Sequence, residues 1–255
     1  MIKKIIKNIF NFFGLQVNRN KNNLVIINKY DWTPFVDKKN KIFELYFDGL
    51  KKTEHEWTDS FSKQLRLYSL IQLVGKVIQY KKVFDFVECG CWRGHSSFVI
   101  ASLLKKTKKN IKFHIFDSFE GLSDSTEKDG YFYKKDKKYK EFITNHFISS
   151  EEFLKDKVLK DFNFINTYKG WIPSRFDEVK DIKISFLHID VDLYQPTLDT
   201  LNYFFPKLVK GGVLICDDYN SAQFPGAKKA CDEYFKKQKH SLFYEQPFGG
   251  CFIIK

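Results

Sequence analysis

Ile184-Ser-Phe-Leu-His-Ile-Asp190-Val-Asp192-Leu-Tyr194, answered further along by Val213-Leu-Ile-Cys-Asp217-Asp218-Tyr219, decides how this chain is to be read. Each half is an apolar run of strand length that stops abruptly at carboxylates. An open α/β sheet offers its ligand-binding groups in this way, at the carboxyl ends of its strands. Two neighbouring strands of this kind deliver several acids to one place. Crowded carboxylates repel one another unless a hard cation lies between them, and oxygen-only donors favour magnesium, manganese or calcium over zinc. The two stretches therefore predict a site for a hard divalent cation.

Upstream, Val83-Phe-Asp-Phe-Val-Glu88-Cys-Gly90 has strand length and composition, turns through Gly90 and Gly94, and runs into a helix from His95. Ile111-Lys-Phe-His-Ile-Phe-Asp117 is a second strand ending in an acid. The order strand, helix, strand predicts a parallel sheet with right-handed crossovers. Leu67, Ile71, Val74 and Ile78 recur at helical spacing and predict a helix over 61–80 that covers the sheet. Downstream, a strand is expected over 162–168, a helix over about 196–209 closed by Gly211-Gly212, a helix over 224–237, and a terminal antiparallel hairpin about the Gln246-Pro-Phe-Gly-Gly250 turn. Residues 1–60 read as an N-terminal helix and an irregular flap, and 61–255 as one α/β domain. A lysine-rich insertion over 123–162, including Lys134-Lys-Asp-Lys-Lys-Tyr-Lys140, is either a solvated excursion or a mobile lid.

With 43 Lys+Arg against 31 Asp+Glu the formal charge is +12. The lysines are scattered and arginine, the residue of bidentate phosphate and base contacts, is scarce, so the surplus reads as a solubility charge and no nucleic-acid partner is expected. Five cysteines in mostly apolar surroundings, without zinc-type spacing, suit free thiols in a reducing cytoplasm. Residues 1–14 form a basic, interrupted apolar segment unlike a signal peptide. As a helix it places Ile2, Ile5, Ile6, Ile9 and Phe13 on one side, which either packs on the core or makes peripheral contact with the inner face of a membrane.

The turn Glu88-Cys-Gly90-Cys-Trp-Arg-Gly94-His-Ser96 does not meet the Gly-x-Gly-x-x-Gly dinucleotide pattern, and Glu88 would repel a pyrophosphate. It still admits a ligand close to Gly90 and to the amides around Ser96 at a helix start. A ligand with its own positive charge, such as S-adenosylmethionine, fits better, with Asp117 accepting from ribose hydroxyls.

Together, Glu88-Cys-Gly-Cys-Trp-Arg-Gly94, Phe116-Asp-Ser-Phe-Glu-Gly-Leu122, Lys169-Gly-Trp171, His188-Ile-Asp-Val-Asp-Leu-Tyr194 and Gly211-Gly-Val-Leu-Ile-Cys-Asp-Asp-Tyr219 resemble, in order, the blocks of the macrocin O-methyltransferase (TylF-type) family, from about residue 58 to the end. The resemblance implies a class I methyltransferase, Rossmann-like fold: a doubly wound, mostly parallel seven-stranded sheet with a C-terminal antiparallel hairpin. It implies an enzyme that uses S-adenosylmethionine and Mg2+, or another hard divalent cation, to methylate sugar hydroxyls. On the matching positions it implies that Glu88, Gly90 and Asp117 bind the cofactor; Gly94, Ser96, Ser118, Gly170, Trp171 and Asp190 are the further residues expected at the cofactor site. It further implies that Asp190, Asp217 and Asp218 hold the metal and that Asp192 is the catalytic base. The chain departs from the family pattern at Val191, at Cys89 and Cys91, and at Ile172-Pro-Ser-Arg after the Gly-Trp block.

If strand geometry persists through Asp192, Asp190 and Asp192 share a face. Asp192 could instead cap the helix that follows. His188 is either a second base or a hydrogen-bonded core residue, and Trp171 either stacks near the adenine or packs in the core. The expected acceptor is a sugar of a glycan, glycolipid or nucleotide-linked precursor. The alternatives are a catechol-like phenol, an RNA ribose, or a non-catalytic basic scaffold at a membrane. A homo-oligomer stays open.

Overall fold

A computed structural model describes residues 10, 15–20, 23–28, 41–107 and 109–255. Apart from Phe10, the segment 1–14 lies outside the described residues, so neither reading of it is met. No helix among the described residues is long and apolar enough to cross a membrane.

The stretch read as an irregular flap contains regular structure. Strands β1 (Leu15–Asn20) and β2 (Asn23–Asn28) pair antiparallel, and helix α1 (Lys41–Lys52) follows. Tyr46 and Leu50 of α1 are buried in the main core, anchoring this stretch to the domain. Its apolar residues stand three or four apart among charged ones, a signal that the scattered aromatics obscured.

Helix α2 (Phe61–Val77) begins at Ser60, whose hydroxyl accepts the Lys63 amide. There follow β3 (Asp85–Cys89), α3 (His95–Lys105), β4 (Phe113–Asp117), α4 (Lys137–Phe147), β5 (Ile165–Lys169), β6 (Ile184–Ile189) and α5 (Tyr194–Phe204). The chain ends with β7 (Leu208–Cys216), α6 (Pro225–Phe235), β8 (Leu242–Glu245) and β9 (Cys251–Ile254). The seven-stranded sheet has the order β5-β4-β3-β6-β7-β9-β8. Strands β3 to β7 pair in parallel, and β9 and β8 close the edge antiparallel. Side chains alternate across it: Phe86, Phe186, Val213 and Ile215 face α1, α2 and α3, while Val87, Leu187, Leu214 and Cys216 face α5 and α6. Burial on both faces makes the strands continuous apolar runs.

The crossover after β3 leads by α3 to β4 on one side, whereas β6 lies on the other side. Connections thus leave β3 and β6 in opposite directions and open a crevice at their carboxyl ends.

Helix α5 ends at Phe204, earlier than expected, because Pro206 cannot extend it. Gly211-Gly212, read as its stop, lies inside β7, where pairing with β6 jumps from Ile184–Leu208 to Phe186–Val213; Gly211, at φ +77°, supplies the bend. The insertion over 123–162 folds into α4 and a π-helical turn, Phe153–Val158, that buries Leu154 and Val158. It is tied to the domain by the buried carboxyl of Asp129, which accepts from the amides of Thr126 (2.6 Å) and Tyr194 (2.6 Å), the latter at the start of α5.

Asp129→Ala strands the buried Tyr194 amide and removes the acceptor of the Thr126 amide, so urea denaturation should find the variant less stable by about 2 kcal/mol.

Candidate active site

A cavity of about 400 Å³ lies over the carboxyl ends of β3, β4, β6 and β7. Its floor is the glycine turn after β3. Gly90 sits at φ +81°, and a Cβ there would collide with the Asp190 carbonyl, so the closest approach of the two strand ends requires glycine. Asp117, which closes β4, accepts the amides of Cys91 (2.7 Å) and Trp92 (3.0 Å) on Oδ2 and of Phe119 (2.7 Å) on Oδ1. It therefore holds the turn in shape and still lines the cavity with acceptor capacity to spare. Ser96, Ser118 and Trp171 also line the cavity, and Trp171 is 40% exposed, so it is no core residue.

Glu88, Gly94 and Gly170 are not among the lining residues. Gly94 closes the turn through its amide to the Cys91 carbonyl, and Gly170 donates to the Asp117 carbonyl. Glu88 is wholly buried, with Ser97 donating to Oε2 and His188 Nδ1 2.9 Å from Oε1. Glu88 therefore lies beneath the site and not among its lining residues, with a hydrogen-bond partner on each oxygen. Burial pulls the His188 imidazole down, but the Glu88 hydrogen bond and charge outweigh it and leave His188 raised. His188 is buried and paired with Glu88, and it also lines the cavity.

Asp190, Asp192, Asp217 and Asp218 all line the one cavity. The strand geometry expected to carry Asp192 does not persist: β6 ends at Ile189, and Asp192 sits at φ +60°. That turn delivers its amide to Asp218 Oδ2 at 2.7 Å. The capping alternative fails too, since Leu193 occupies the N-cap without a side-chain bond and Asp129 takes the Tyr194 amide. Burial and then Asp217 push Asp190 up to about 6. Burial, reinforced by the other acids, raises Asp192 and Asp218 well above the usual carboxylate range.

Such a buried, mutually repelling, oxygen-only set has the chemistry that a hard divalent cation relieves. Among the described residues, however, no group of three His, Cys, Asp or Glu is arranged as a ligand set. Asp217 Oδ2 instead receives Arg66 Nη1 at 2.5 Å, and Asp218 Oδ2 the Asp192 amide.

Sequence reasoning missed the cations. Lys63 and Arg66 of α2 both line the cavity, and their spacing of three residues puts them on one helix face. It also missed an aromatic wall, in which Trp92 meets His55 (centroids 4.2 Å apart), His146 (5.2 Å) and Phe147 (5.4 Å). The last two belong to α4, so the insertion walls the cavity.

Residues 48–243 match a family model described as Macrocin-O-methyltransferase (TylF). The chain is 30% identical over 177 residues to demethyldecarbamoylnovobiocin O-methyltransferase of Streptomyces niveus, covering 68% of this chain and 66% of that protein. It is 27% identical over 140 residues to 8-demethyl-8-(2,3-dimethoxy-alpha-L-rhamnosyl)-tetracenomycin-C 4'-O-methyltransferase of Streptomyces olivaceus, covering 53% of this chain and 52% of that one. The chain thus spans between half and two thirds of the length of these relatives. The solved structure of the O-methyltransferase NovP superposes with a TM-score of 0.61 at 28% identity, covering 74% of this chain and 79% of that one.

An acid whose folded pKa is raised opposes folding once the unfolded chain ionises, so its penalty is absent below about pH 3.9 and complete above about 6 for Asp190. In chelator, Asp190→Asn should be more stable than wild type by about 2 kcal/mol at pH 8 and equal to it at pH 4 when measured by urea denaturation. A variant less stable at pH 8 would show that the crowding is relieved within the protein.

Proposed function

The chain belongs to the macrocin-O-methyltransferase (TylF) family, and on that premise we propose that it moves a methyl group from S-adenosylmethionine to a sugar hydroxyl with the help of a divalent cation. The observation that carries the reading is the convergence of four carboxylates beside the glycine turn, at the sheet's switch point. The sugar class is supported by the rhamnosyl group in one relative's name. A glycan, glycolipid or nucleotide-linked sugar is the acceptor proposed.

Bound S-adenosylmethionine supplies a methyl group on a positively charged sulfur, and a bound divalent cation supplies a Lewis acid that lowers the pKa of a hydroxyl. The protein's part is to bind, orient and deprotonate. The turn at Gly90 lets a ligand approach the backbone, with Ser96, Asp117, Ser118 and Trp171 around it. Asp117 keeps capacity for ribose hydroxyls beyond its three amide bonds. Asp190, Asp217 and Asp218 would hold the cation; Asp190 also stands beside the glycine turn. Arg66 fixes the orientation of Asp217. Asp192 is assigned the hydroxyl proton: it lines the cavity, caps no helix, and is held in place by its own amide rather than by its carboxylate. The aromatic wall of Trp92, His146 and Phe147 keeps water from one side.

Release of S-adenosylhomocysteine is the assay, run over nucleotide-linked sugars and glycosides with Mg2+ or with excess chelator. Asp192→Asn should lower kcat by about 10²–10⁴-fold while calorimetric affinity for S-adenosylhomocysteine stays within about twofold. Full turnover by this variant removes the base assignment. Full turnover of wild type in chelator, or equal Mg2+ binding by wild type and Asp217→Asn, removes the metal.

A further inference from the structure

Of the lysines and arginines lining the cavity, Lys63 is the one that has no carboxylate partner among the described residues. Its Nζ makes a single hydrogen bond, to Thr58 Oγ1 at 2.7 Å, which leaves two donors free. The other positively charged groups are committed. Arg66 holds Asp217, Arg93 holds the Thr53 carbonyl and Glu54, and His188 pairs with Glu88. His55 and His95 are pushed down by burial to about 4 and about 3, so both are neutral near pH 7.

The surroundings make this isolation costly. Burial and then Arg66 push Lys63 down to about 8, although Asp190, Asp217 and Asp59 attract it from a distance. Lys63 lines the same cavity as Asp190, Asp217, Gly90 and His95, and its charge is felt at Asp190, Asp217 and His95. It also stands in the first turn of α2, where the helix dipole favours an anion, and the N-cap Ser60 lines the same cavity. A cation so held, in one cavity with the acid cluster and the glycine turn, lacks one thing, a small anion.

The methyl donor carries one. Its sulfonium and ammonium are positive and suit the four acids, but its carboxylate would be repelled by them. We propose that Lys63 binds the carboxylate of the donor's amino-acid moiety by a charge-assisted hydrogen bond. The assignment rests on the reading of the cavity as a methyl-donor site. It sets the sulfur's position along the cavity by gripping the end of the ligand opposite the nucleoside.

The test is calorimetric and needs no acceptor. S-adenosylhomocysteine and its decarboxylated counterpart, which keeps the amine and lacks only the carboxylate, are titrated into wild type, Lys63→Gln, Lys63→Met and Lys63→Arg. Wild type should prefer S-adenosylhomocysteine by about 10–100-fold, Lys63→Gln and Lys63→Met should lose that preference, and Lys63→Arg should keep most of it. Equal losses for both ligands would show a merely structural lysine, and unchanged affinity for S-adenosylhomocysteine would place its carboxylate elsewhere; either overturns the proposal. Wild type that binds neither ligand refutes the methyl-donor reading itself.

Discussion

The backbone contact between Gly90 and Asp190 is the constraint on which the site depends. Two parallel strands meet there so closely that no side chain fits at Gly90, and immediately beyond it their connections part in opposite directions. The gap so created is floored by main chain rather than filled by side chains. It is therefore a place where a ligand can approach amides and carbonyls directly.

Around that gap the protein accepts an electrostatic cost. Four aspartates share one cavity and three of them titrate above their ordinary range, a state that packing alone would not favour. Below the site the polarity is balanced: Glu88, His188 and Ser97 satisfy one another within an apolar layer. The contrast separates structure from chemistry. The Glu88–His188 pair is mutually satisfied, whereas the crowded acids face the cavity, with Lys63 and Arg66 of α2 lining it beside them.

The insertion is an integral wall rather than a solvated excursion. Asp129 ties it to α5, Leu154 sits against Gly94, the Ser149 hydroxyl donates to the Trp92 carbonyl, and His146 and Phe147 complete the aromatic side of the cavity. Helix α4 itself buries none of its residues, so its lysines remain in solvent while its last turn reaches the site. Variation in such a segment would change what the cavity admits without disturbing the sheet.

Much of this was legible in the chain itself. Apolar runs ending in acids gave the parallel strands and their carboxyl ends, because burial on both faces imposes continuous hydrophobicity and the ligand side imposes polarity. Residues near in sequence to those strand ends, Gly90, Asp117, Asp190, Asp217 and Asp218, fell into the cavity as their local pattern demanded. Tertiary structure alone decided the rest. Whether Glu88 faced ligand or core depended on His188, a hundred residues away. Asp192 reached the site through a positive-φ turn that no periodicity encodes, and Lys63 and Arg66 of α2 carried no signal until the fold set them against four acids. Periodicity reports which face of an element is buried; it carries no information about which distant charge that face will meet.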